Sequence, residues 1–96
     1  MTTEEIYKEL LTEIIKSKMK LFGDLVVNKI RSIKNLFVDL NGNVTSISGD
    51  PEIILREVLQ EYRKLSGEFA NILAKVIMIG IMQKYPDFNL PEEFYK

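Results

Sequence analysis

Asp39, Asn41 and Asn43 put oxygen-bearing side chains at alternate positions of VDLNGNVTSISGDPE (38–52), the spacing with which a calcium loop presents its first ligands. Such a loop also needs glycine at its sixth place and a bidentate glutamate at its twelfth. Counted from Asp39, those places hold Val44 and Asp50, and the glycine stands two residues early, at Gly42. Only Asp39 and Asp50 carry charge, too little for a tight calcium cage. Asn41-Gly42 between LFVDL and NVTSI predicts a β-hairpin on a type I′ turn, with Leu40 facing Asn43, Val38 facing Thr45 and Leu36 facing Ile47. Gly49-Asp50-Pro51-Glu52 then reads as a loop, an Asp N-cap and a proline at the first helical position.

The remaining chemistry is sparse. The chain has no Cys, His or Trp, so its own residues make no disulfide, thiolate nucleophile, Cys/His zinc site or histidine general base. Glu57, Glu61 and Glu68 are carboxylates at near-helical spacing, but Arg56 and Lys64 beside them make a surface charge pattern. No glycine-rich phosphate loop occurs. The expectation is a protein without catalytic residues, metal or cofactor.

Two stretches point to partners. Lys16, Lys18, Lys20, Lys29, Arg31 and Lys34 stand against Asp24 alone, a cationic run that could follow a phosphate backbone. No aromatic stacking platform is interleaved with them, which makes nucleic acid the alternative reading. FANILAKVIMIGIM (69–82) is apolar on nearly every side. It is too short to cross a bilayer, which takes about 20 residues, so protein must surround it. Ile72, Val76, Ile79 and Met82 are the candidates for an interface with a second copy. Met78, Met82, Phe69 and Tyr62 would line an adaptable pocket if the protein instead sensed a small apolar ligand.

These residues need helices to hold them. Thr2 and Glu5 form a capping-box pattern, after which Ile6, Leu10, Leu11, Ile14 and Ile15 recur at helical spacing to about Lys20. A second helix carries Leu25, Val26, Ile30 and Ile33, a third Ile54, Leu55, Val58, Leu59, Tyr62 and Leu65, and a fourth runs from about Glu68 to Tyr85. LLTEIIKSKMKLFGDL (10–25) aligns without gaps on ILREVLQEYRKLSGEF (54–69), an offset of 44 residues. The shared unit is two helices joined at a glycine corner, Gly23 or Gly67, with a C′ glycine in the left-handed conformation. After Pro86, DFNLPEEFYK reads as an extended acidic tail.

At 96 residues, 46% hydrophobic and 28% charged, with a net charge of -1, the chain fits one folded domain with no overall pull toward polyanions. The fold expected is α+β and mainly α, in which two helical hairpins flank a β-hairpin at about 36–48, with helix 4 central. The alternative is an all-α bundle. Residues 1–85 form the domain and 86–96 the tail. The function expected is a small non-enzymatic, homo-oligomeric interaction or regulatory module, a dimer foremost. The acidic, amphipathic start is no signal peptide, so the expected compartment is the cytoplasm. Abundant Ile, Lys and Glu fit a thermophilic source.

Overall fold

A computed structural model describes residues 1–67 and 69–96, with side chains for all of these except 69–71. Helix α1 spans Thr3–Phe22, α2 Asp24–Ile30, α3 Pro51–Ser66 and α4 Phe69–Lys84; strands β1 (Leu36–Val38) and β2 (Val44–Ile47) pair between α2 and α3. The fold is therefore α+β and mainly α. Local chemistry starts the helices as expected. The Glu5 N–H donates to Thr2 Oγ1 (3.2 Å) and the Thr2 N–H to Glu5 Oε1 (3.1 Å), closing the capping box. Asp50 caps α3 by accepting from the Glu52 N–H at 2.9 Å.

The two glycine corners are nearly superimposable in conformation. Gly23 has φ 64°, ψ -145° and Gly67 has φ 61°, ψ -146°. Each N–H returns to a carbonyl in the last turn, Gly23 to Met19 and Gly67 to Arg63, both at 2.8 Å. The positive φ was expected, but this ψ belongs to the mirror of extended backbone, a region essentially closed to other residues, and not to the left-handed helical well. The departure turns the chain straight from one helix into the next. Burial repeats at the same offset: Leu10 and Ile54, Leu11 and Leu55, Ile14 and Val58, Lys18 and Tyr62, and Ile30 and Ala74 are all buried. Glu68, the acid expected to open helix 4, lies outside the described residues.

The centre of the molecule is α1, not α4. Leu10, Leu11, Ile14 and Ile15 have no exposed surface, and α1 packs on α2, α3, α4 and β2. An all-round apolar sequence suggested a central α4, yet over residues 72–84 that helix buries one face, through Ala74, Met78 and Ile81.

The hairpin lies on α1. Leu36 pairs with Ile47 as expected, but Val38 pairs with Val44, and a bulge follows Phe37. The turn is not type I′: Gly42 (φ 87°) is its only residue at positive φ. Its N–H bonds the Asp39 carbonyl (3.2 Å) and the Asp39 N–H bonds the Asn43 carbonyl (2.9 Å), the pattern of a three-residue loop with a glycine bulge. The cause is the Asp39 carboxylate, which accepts from the N–H groups of Asn41 and Asn43 and from Asn43 Nδ2. Thr12 Oγ1 accepts from the Val44 N–H at 3.0 Å, fixing the hairpin to α1.

Residues 86–96 are part of the core and not a detached tail. Phe88, Leu90 and Phe94 are buried, and a 3-10 turn spans Glu92–Phe94. Phe88 meets Tyr7 edge to face, with ring centroids 5.1 Å apart. Arg56 pairs with Glu93 and lies 5.5 Å above the Phe94 ring. Three apolar residues at short spacing outweigh the acids between them, because those acids can remain in water while the rings go inside.

Candidate functional site

On α4, Ile72, Val76 and Ile79 are 59%, 65% and 42% exposed. Their spacing sets them in one stripe, which also carries Gly80 and the exposed Gln83, opposite the buried stripe of Ala74, Met78 and Ile81. Met82, the fourth interface candidate, is half-buried and packs on the core instead. Gly80 costs a helix interior about 1 kcal/mol relative to alanine. Nothing among the described residues explains it, for a Cβ built there meets no atom within 4 Å. Counted back by the repeat offset, Ile72, Val76 and Ile79 correspond to Asn28 on α2 and to Ser32 and Asn35 just beyond it, all three exposed. The fold thus tolerates polar groups where α4 shows apolar ones.

The cationic candidates separate. Lys16, Lys20, Lys29, Arg31 and Lys34 are exposed. Lys18 is 1% exposed, so it cannot reach a phosphate. Its Nζ has no hydrogen-bond partner among the described residues and lies 5.9 Å from the centroid of the Tyr62 ring, whose hydroxyl is also buried without a partner. Burial lowers the Lys18 pKa and raises that of Tyr62. Sequence spacing alone missed Phe37. It is 54% exposed, and it shares a shallow groove with Arg31 and Lys34. The signal was its place on the strand, where Leu36 faces inward and its neighbour must face out.

Asp39 spends its oxygens on the hairpin, and the Asn43 side-chain amide, helped by the Asn43 and Asn41 N–H groups, holds its carboxyl below the usual range. Glu61 accepts from Lys64 Nζ at 3.1 Å; Glu57 is half-buried, and Glu68 lies outside the described residues. Among the described residues no three Asp or Glu side chains gather as metal ligands. Of the residues expected to line an apolar pocket, Tyr62 and Met78 are buried in the core, Met82 is half-buried, and the side chain of Phe69 lies outside the described residues.

A groove of about 630 Å³ opens elsewhere, between the first turns of α1, the start of α3 and the chain following α4. Ile6, Tyr7 and Phe88 supply its apolar side and Asp50, Glu52 and Asp87 its negative charge, with Met1 and Lys84 also on its walls. Tyr7 is 3% exposed. Burial, then the charges of Glu52 and Asp50, push its pKa up to about 12. No helix among the described residues is long and apolar enough to cross a membrane. Comparison of the chain with protein families, with curated proteins and with solved structures finds no match.

Proposed function

We propose that the protein is a small non-enzymatic interaction module of the cytoplasm that self-associates through the open face of α4, forming a two-fold dimer. The observation that supports this reading is the stripe of Ile72, Val76 and Ile79, three exposed apolar side chains aligned on one face of α4. Full burial of such side chains is worth roughly 1.5–3 kcal/mol each, a large share of the stability of a small domain. A second copy is the fitting occupant because the stripe is uncharged from Ile72 to Gln83 except for the flanking, half-buried Lys75. Such a surface is self-complementary across a two-fold axis. Gly80 leaves room for the partner's backbone to come close.

Sedimentation and thermal melts over a roughly hundredfold concentration range test it. The expected result is a dimer whose Tm rises with concentration. Replacing Ile72→Asn and Val76→Ser together, the residues found at the equivalent positions of the first repeat, should yield a folded monomer. A wild-type chain that sediments as a monomer at tens of micromolar overturns the reading.

One observation favours a second reading, binding of single-stranded nucleic acid. Exposed Phe37 offers a base-stacking ring in a groove that Arg31 and Lys34 also line. Phe37→Ala should then abolish binding to oligonucleotides at low salt, and absence of wild-type binding there removes this reading.

A further inference from the structure

The groove beside α1 combines three features. First, Tyr7 is nine-tenths buried, yet its hydroxyl makes no hydrogen bond with the described residues and is not sealed from solvent as that of Tyr62 is. It opens onto the groove it lines. Second, the Phe88 ring stands at 82° to the Tyr7 ring, so two aromatic walls are fixed at nearly a right angle. Third, Asp50, Glu52 and Asp87 on the walls have no ion-pair partner among the described residues. The side-chain cation on the rim, Lys84, is already held by Glu9, at 3.2 and 3.3 Å, and Glu9 also accepts from the Tyr85 hydroxyl. Asp50 gives one oxygen to the cap of α3, and its other oxygen has no partner among the described residues. Aromatic faces attract cations, and carboxylates close by add to that attraction.

We propose that this groove binds an organic cation, a primary ammonium on an apolar stem. The stem lies against Tyr7 and Phe88, and the ammonium donates to the Tyr7 hydroxyl and to the carboxylates of Asp50, Glu52 and Asp87. The Tyr7 pKa is raised first by burial and then by Glu52 and Asp50, whose field therefore reaches its hydroxyl. The site is independent of the open face of α4. The same ammonium chemistry is carried by a free amine and by a lysine side chain in a peptide.

Titration of the full chain, followed by the NMR signals of Tyr7 and Phe88, tests the proposal. Phenethylammonium serves as the free-amine probe, N-acetyl-lysine methylamide as the peptide probe and 2-phenylethanol as the neutral isostere. Saturable shifts are expected with an ammonium probe, and binding at least about tenfold weaker for the alcohol. The tighter of the two ammonium probes identifies the source. Glu52→Gln with Asp87→Asn, which spares the Asp50 cap, should weaken ammonium binding about tenfold. Tyr7→Phe should weaken the primary ammonium more than phenethyltrimethylammonium, which has no proton to donate. No saturable shift with either ammonium probe at tens of millimolar, equal binding of the alcohol, or unchanged binding by the folded double variant overturns the proposal.

Discussion

Lys18 and Tyr62 occupy equivalent positions of the two repeats and face each other across the core, each with a polar end that has no hydrogen-bond partner among the described residues. Attraction of the ammonium to the ring offsets part of its desolvation, but an unsatisfied buried group still costs about 1–3 kcal/mol. Lys18→Met, which keeps most of the stem volume, should therefore raise the unfolding free energy by roughly that amount at neutral pH, measured by urea denaturation. The pH dependence has a definite sign. The Lys18 pKa is lowered from 10.5 in the folded chain, so the unfolded chain holds more protons and the contribution of this group to stability rises with pH toward 10.5. The advantage of Lys18→Met should shrink over that interval. Tyr7 acts oppositely: its pKa is raised from 10.0 to about 12, so its contribution is complete below 10 and lost between the two values. That term is common to both proteins and cancels in their difference. The buried site of Lys18 was legible, because it follows Leu11 and Ile14 on the apolar stripe of α1. Reading it as a cation among cations gave residue type precedence over position.

Helix starts were legible in the sequence because they are local: Thr2 with Glu5, and Asp50 with Pro51, each complete a cap within a few residues. The glycine corners were legible in place but not in ψ, which depends on how the two helices pack. At Gly23 and Gly67 an added Cβ would meet no atom within 4 Å, so alanine there suffers only from the backbone. Gly23→Ala and Gly67→Ala should each lose about 1–3 kcal/mol, and by similar amounts. Gly42→Ala should lose no more than these, since a bulge glycine at φ 87° lies in the left-handed region and Met19 Sδ, 2.5 Å from the new Cβ, is near the movable end of a flexible side chain. Chemical denaturation of the three variants checks this order. The turn was misread because the Asp39 carboxylate holds the loop through Asn41 and Asn43, and a dipeptide rule takes no account of it. On α4, Gly80→Ala should separate two effects. Helix propensity favours the folded monomer by up to about 1 kcal/mol, while a methyl group on the open face should weaken self-association, visible as a lower Tm gain with concentration.

For the molecule as a whole, composition located the apolar residues but not the order of the layers. Helix α1 became central because it touches the hairpin as well as the other helices, a relation between distant segments that periodicity along one helix does not contain. The same holds for residues 86–96, where Pro86 and the acids suggested a solvated tail while Phe88, Leu90 and Phe94 joined the core. Phe94→Ala should cost about 3–5 kcal/mol, as other buried phenylalanines do, and a urea midpoint well below that of wild type would record it. An unchanged midpoint would show that this segment adds nothing to the core. The interface candidates were legible only as a set: helical spacing grouped Ile72, Val76 and Ile79, but which side of α4 stayed open followed from where α1 and α3 lie.

The position of Phe88 against Tyr7 bears on how the chain comes into being. A ribosome releases Tyr7 and the rest of α1 long before Phe88, Leu90 and Phe94 exist. Until then the apolar stripe of α1 lacks part of its cover, and the nascent chain must remain open or be sheltered. Completion of this domain thus follows the synthesis of Phe88, Leu90 and Phe94, and α1 waits for residues made well after it.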